Sequence, residues 1–358
     1  HGNAVLASEV VDRRAEREAV LAELDAMVGL DEVKRTIHSF VHAYDLAERR
    51  RAGGLREEAP MPHLVFVGNP GTGKTTVARL LGRLYHAIGL LPTSEVIEVD
   101  RTGLVAGYVG QTALKTRDIC MEALGGVLFI DEAYSLARDD GGFGPEAIDT
   151  LLSMMEMHRG EFAVIVAGYP QPMAEFVFSN PGLNSRFDDA VVFDDYSPEE
   201  LMNILIGMVA ARDYELTPAA LEKVAAFIES WPRNPGFGNA REVRNLVNAI
   251  VRKHASLLAE AAVGSPAETE AVDAEHIATE VEATDLAAGS LDAPEAEQPG
   301  AADAGETTGA PDTGEAATES DTVAAPVVTD ALRVIDANAV PAVPVHRHSG
   351  GEPGHHPG

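Results

Sequence analysis

Nine consecutive residues, Gly68-Asn69-Pro70-Gly71-Thr72-Gly73-Lys74-Thr75-Thr76, have the spacing G-x-x-x-x-G-K-[ST]. Glycines there let the backbone take positive φ and bring its N–H groups close to an anion. Lys74 is placed to meet the β- and γ-phosphates of a nucleotide, and the Thr75 hydroxyl to ligate Mg²⁺. Asn69, Pro70, Gly71, Thr72, Gly73 and Thr76 complete the cradle. Downstream, the apolar run Val127-Leu128-Phe129-Ile130 ends in two carboxylates, Asp131 and Glu132. An aspartate at such a strand end can hold Mg²⁺ or its water shell. The adjoining Glu132 can orient and polarise an attacking water, help worth roughly 10²–10⁴ in rate. The chemistry these residues suit is hydrolysis of a nucleoside triphosphate.

The elements that must position them follow from the apolar pattern. His63–Val67 reads as a buried strand ahead of the glycine-rich turn, and Thr76–Leu84 as the helix after it. Pro92 breaks the chain before a second strand at 95–99, and further strands fall at 127–130, 162–167 and 190–193. Helical patterns lie between them, as at 145–157, where Met154, Met155 and Met157 read as packing residues rather than a soft-metal site. Strands alternating with helices predict an α/β domain over 27–196, a parallel sheet with helices on both faces. Residues 1–26 read as a charged, exposed helical lead-in, followed by a helix to about Arg51 that Gly53-Gly54 ends. Pro60 and Pro62 mark a linker. From Ser197 the pattern is helical: Ser197-Pro198-Glu199-Glu200 and Thr217-Pro218 start helices, and a last one runs from Gly238 or Asn239 to about Glu260. Residues 197–260 are thus expected to form a small all-helical domain.

Composition narrows the classes. The 358 residues carry a formal charge of −30, which argues against a general phosphate-backbone binder. Residues 261–358 hold 19 acids and 2 bases and no aromatic residue. Such a stretch, rich in Ala, Pro and Gly, is expected to be a disordered acidic tail. Its His346, His348, His355 and His356 read as a solvated end rather than a metal site. Cys120 is the only cysteine, so no internal disulfide forms; its apolar helical surroundings make it a core thiol. No run reaches the length of a membrane span and no signal peptide is visible, so the expectation is a cytoplasmic protein. The sequence starts at His1 rather than methionine, so the absence of a targeting signal carries less weight than usual.

The two motifs and the helical second domain together resemble an AAA+ ATPase. The closer similarity is to the CbxX/CfqX family, carried by residues 104–116, Gly125-Gly126-Val127-Leu128-Phe129-Ile130-Asp131-Glu132-Ala133-Tyr134, Ala167-Gly168-Tyr169 and residues 180–187. It spans about 27–260 and excludes the tail. The resemblance implies a P-loop AAA+ fold with a helical lid, and a homo-hexameric ring that binds MgATP between subunits and remodels a protein partner. It implies that Val28, Gly29 and Leu30 line the adenine pocket. Arg186 matches the arginine finger that reaches the γ-phosphate of a neighbouring subunit, an effect worth roughly 10³–10⁵ in rate. Arg241, in Gly238-Asn239-Ala240-Arg241, matches the lid's sensor 2, with Arg244 as the alternative. Tyr108, between Gly107 and Gly110, matches a pore loop that grips the client. Where many AAA+ proteins carry a polar sensor 1, this chain reads Ala167-Gly168-Tyr169, which leaves Tyr169 as candidate. Two other classes compete. A helicase or clamp-loader type of nucleic-acid ATPase is disfavoured by the acidic charge, and a nucleotide-switched scaffold with little turnover by the intact Asp131-Glu132 pair.

Overall fold

The apolar runs form five strands: β1 (Leu64–Gly68), β2 (Val96–Val99), β3 (Val127–Ile130), β4 (Ala163–Gly168) and β5 (Ala190–Phe193). The structure, a computed structural model, describes residues 2–56, 63–108, 110–137, 143–187, 190–263 and 334–340. The strands lie in the order β2-β3-β4-β1-β5. All neighbours are parallel, with Leu64 opposite Ile165 and Val65 opposite Ala190. β3 and β4 are buried along their whole length, as a sheet covered on both faces requires. Because the strands are parallel, the C-terminal ends of β1, β3 and β4 share one edge. That edge brings Gly68, Asp131 and Gly168 together.

Around the sheet run α1 (Gly2–Ala26), α2 (Asp31–Ala52), α3 (Lys74–Ala87), α4 (Arg101–Leu104), α5 (Gln111–Glu122), α6 (Phe143–Met157), α7 (Pro170–Ser179), α8 (Pro181–Asn184) and α9 (Pro198–Ala210). α1 corrects the expectation of an exposed lead-in. Its Val20 and Leu24 are buried, Arg83 of α3 pairs with its Glu16 and Glu23, and its Arg17 with Asp45 of α2. Glu16, Arg17 and Glu23 are thus partners for neighbouring helices, while Arg14 and Glu18 stay on a solvated face. Cys120 is buried and its thiol is pushed up to about 12 by desolvation, which makes it inert. Met154 and Met155 pack in the core, whereas Met157 is exposed.

The chain forms two compact units, residues 1–209 with 231–249 and residues 210–230 with 250–358. The division falls inside the expected helical domain. The first unit keeps α9, whose start is a reciprocal capping box: Glu200 N donates to Ser197 Oγ, and Ser197 N to Glu200 Oε2. The second unit contains β6 (Glu215–Leu216), α10 (Pro218–Glu229) and β7 (Val334–Ile335). α11 (Ala240–Val263) gives its first part to one unit and the rest to the other. β7 comes from the stretch expected to be a disordered tail. Residues 334–340 instead form a strand and a 3-10 turn (Ala337–Ala339), with Ile335, Ala339 and Val340 buried. Seven residues need no core of their own when they complete another's. Residues 264–333 and 341–358, with His346, His348, His355 and His356, lie outside the described residues, as do Pro60, Pro62 and Val109.

Candidate active site

The turn between β1 and α3 has the backbone that its glycines allow. Gly71 sits at φ 71° and Gly73, the N-cap of α3, at φ 99°. A Cβ on Gly71 would lie 2.2 Å from Gly238 O and 2.8 Å from Arg241 N. Glycine is required there by close backbone approach as well as by φ. Thr72 is buried and its hydroxyl donates to Asn69 O at 2.9 Å. Lys74 curls over the loop and donates to Gly68 O and Asn69 O, both at 2.8 Å. Burial lowers its pKa, against the opposing pull of Asp131 and, more weakly, Glu132. The first turn of α3 has no side-chain cap, so its N–H groups and the positive end of the helix dipole are available to an anion.

Asp131 continues the β3 ladder, its N–H donating to Val99 O at 2.8 Å, and its carboxylate accepts from Glu132 N at 3.0 Å. Glu132 has φ 48°, a left-handed conformation that costs a non-glycine residue of order 1–3 kcal/mol and collects at functional sites. Lys74, Thr75, Thr76, Asp131 and Glu132 face a cleft of about 600 Å³ at the C-terminal edge of the sheet. Thr75 and Asp131 also line an adjoining cavity with Glu98 and Asp100. A hydroxyl and a carboxylate at a shared wall are hard oxygen donors, the set that Mg²⁺ takes alongside substrate phosphates and water. Among the described residues no cluster of three or more His, Cys, Asp or Glu could hold a metal by itself.

The remaining residues expected at the site divide. Val28, Gly68, Pro70, Gly71, Gly73, Tyr169, Arg241 and Arg244 line the cleft. Gly29 and Leu30, both at positive φ, form the turn behind Val28, with Leu30 buried. Arg186 is elsewhere: its guanidinium donates to Glu156 at 2.8 Å and to Gly182 O at 3.2 Å. Tyr108 is 73% exposed in the segment between α4 and α5. Gly168 cannot carry a side chain, because a Cβ would meet Tyr134 at 2.7 Å and Met173 at 2.9 Å.

Sequence reasoning missed a polar net beneath the phosphate loop. Asp195 accepts from Asn69 Nδ2 at 2.9 and 3.0 Å and from Asn239 Nδ2 at 2.6 Å. The buried Asn239, at φ 48°, accepts from Tyr196 N at 3.0 Å and donates to Phe237 O at 3.1 Å. Tyr196 donates its hydroxyl to Thr72 O at 3.1 Å, and burial pushes that hydroxyl up to about 12. Gly236 N donates to Asn69 Oδ1 and Ala240 N to Gly71 O. These bonds tie the phosphate loop to the segment that carries Arg241. Asn239, next to the helix start, was the available signal; Asp195 offered none.

Residues 64–194 match the model of the ATPase family associated with various cellular activities (AAA), and residues 197–295 that of the AAA lid domain. The chain is 44% identical over 241 residues to stage V sporulation protein K of Bacillus subtilis, covering 66% of this chain and 74% of that protein. It is 41% identical over 270 residues to Protein CbbX of Cereibacter sphaeroides, covering 73% and 87%. With the chloroplastic ribulose bisphosphate carboxylase/oxygenase activase of Cyanidioschyzon merolae it shares 41% over 239 residues, 66% of this chain and 82% of that one.

Proposed function

The chain belongs to the CbxX/CfqX family of AAA+ ATPases, and from that premise we propose that it forms a ring of six subunits, each hydrolysing MgATP, which remodels a protein client in the cytoplasm. The observation that carries the reading is the split of the catalytic set. Lys74, Thr75, Asp131, Glu132 and Arg241 converge on one cleft, while Arg186 lies outside it, paired with Glu156. A chain that holds every part of the site except the arginine finger needs a second copy to complete it.

Within one subunit the residues divide the work. The α3 N-terminus and Lys74 bind the β- and γ-phosphates, and Lys74 must exchange its two carbonyl partners for phosphate oxygens. Thr75 and Asp131 would hold Mg²⁺, which would offset the charge of the phosphates. Glu132 orients the attacking water and accepts its proton. Arg241, carried on the segment bonded to the phosphate loop, senses the bound triphosphate. Val28 and the turn behind it take the adenine. One relative is named as an activase of a carboxylase/oxygenase, which supports a protein rather than a nucleic acid as client, and the acidic charge agrees. Tyr108, exposed between two glycines, is the residue that grips it. Among the described residues no helix is long and apolar enough to cross a membrane.

The test is phosphate release from the wild-type chain and from Glu132→Gln, with and without added protein or DNA. Turnover in the wild type, its loss in the variant and stimulation by protein support the reading. Equal turnover in both removes Glu132 from the mechanism, and stimulation by DNA alone moves the chain to the nucleic-acid class. A pull-down on ATP-loaded Glu132→Gln, read by mass spectrometry, then identifies the client.

A further inference from the structure

The second unit contains a strand supplied from far along the chain. Val334 pairs with Glu215 and Ile335 with Leu216 in parallel. Thr217 N donates to Ile335 O at 2.9 Å, and Lys223 Nζ on α10 donates to Ala337 O at 3.0 Å. Asp336 caps the turn that follows, its carboxylate accepting from Asn338 N at 2.8 Å. Ile335, Ala339 and Val340 are buried, while Asp336 and Asn338 face solvent. The match to the lid-domain model ends at residue 295, short of every residue in this segment.

We propose that β6 and α10 form a docking site for a short extended peptide, and that residues 334–340 of the same chain are its tethered occupant. The site has the two parts that strand addition needs. Main-chain pairing along β6 supplies affinity without regard to side chains. Selectivity comes from the buried positions, a β-branched residue at 335, a small one at 339 and another β-branched one at 340, and from the Asp336 cap that turns the chain between them. A pairing this short is marginal by itself. The tether offsets that. Residues 264–333 join the docked strand to the end of α11, and this covalent link holds occupant and site at a raised local concentration. A site too weak to retain a free peptide is then filled in cis, and it opens reversibly. Residues 264–333, which link the occupant to its site, carry 17 acids and one base.

The test is hydrogen exchange on the full chain, read at the Thr217 amide and across 335–340. In Ile335→Asp the Thr217 amide should exchange at least ~10-fold faster, since its opening no longer requires release of a docked strand. A free peptide of residues 331–342 at millimolar concentration should restore protection at Thr217 in that variant. Lys223→Ala, which removes one side-chain bond and no core residue, should speed exchange over 335–340 while leaving the melting temperature unchanged. Equal Thr217 exchange in wild type and Ile335→Asp overturns the proposal, as does a peptide that restores nothing in Ile335→Asp together with unaltered exchange in Lys223→Ala. Amine-to-carboxylate cross-links between α10 and 334–340 should form within one chain. If a mixture of isotope-labelled and unlabelled protein gives them between copies, the occupant is a second chain and the cis assignment fails.

Discussion

Lys74 donates to two carbonyl oxygens of its own loop, in a site whose burial already disfavours its charge. A triphosphate offers it a far stronger partner, so Lys74→Ala should abolish ATP binding, measured with a fluorescent nucleotide, while leaving the fold intact. Glu132→Gln should bind ATP and release phosphate at least ~100-fold more slowly, the lower range of a lost general base. A third residue answers to pH. His63 is buried beside Phe162 and Phe187, and its Nδ1 accepts from Val164 N at 3.0 Å. Burial first, then Arg186 and Arg159, lower its pKa from 6.5 to about 4. As pH falls below 6.5 the unfolded chain therefore gains a proton that the native chain refuses. Stability should drop through the window from 6.5 to about 4 and then level off, by up to ~3 kcal/mol from this group. His63→Asn, which keeps an acceptor for Val164 N, should flatten that limb in urea titrations at pH 7 and pH 4.5; an unchanged slope would assign it to other groups.

At the scale of elements, residues 195–196 and 236–241 behave as a brace for the phosphate loop. Asn239→Ala removes the acceptor of Tyr196 N and a donor to Asp195, and leaves a non-glycine residue at φ 48°. It should lower stability by ~2–3 kcal/mol and weaken ATP binding as well, because Gly71 and Arg241 are packed backbone to backbone. Denaturant midpoints and nucleotide titrations on the variant check both effects; normal stability would mean that the brace is dispensable. The same elements show what could be read from the sequence. Gly68–Thr76, Asp131 and the Ser197–Glu200 box were legible because each is a local rule, a fixed spacing of residue types that dictates its own backbone. β1, β3 and β4 were legible for the same reason: a buried strand reads as a short, unbroken apolar run. Asp195 was not, since its partners lie 126 and 44 residues away and an aspartate after a strand has no distinguishing neighbour. α1 was misjudged because the Glu and Arg residues that suggest solvent are the ones that pair with Arg83 and Asp45. Residues 334–340 escaped notice because composition averaged over a long acidic stretch hides one Val-Ile pair followed by an Asp cap.

At the scale of the assembled protein, Arg186 gives the sharpest expectation. If it serves the neighbour's cleft, Arg186→Ala should keep nucleotide affinity and lose turnover. Mixing it with Lys74→Ala should restore part of that turnover, because some interfaces then pair an intact cleft with an intact finger; proven mixing without recovery would count against a shared site. Tyr108 belongs to the same scale. At 73% exposure it contributes little burial, so Tyr108→Ala should leave the melting temperature and basal turnover unchanged and abolish client remodelling, with Tyr108→Phe retaining most of it. A fall of several degrees in Tyr108→Ala would make the residue structural. The pairing of β6 with β7 also separates covalent continuity from physical integrity. A protease that cuts once anywhere in 264–333 breaks the polypeptide into two, yet both ladder pairs and the Lys223 bond lie outside the cut stretch. The nicked protein should show two bands under denaturing conditions. Because the cut ends the local concentration that keeps a weak site filled, the smaller fragment should then wash away on dilution, at a rate that reports how long the clasp stays shut.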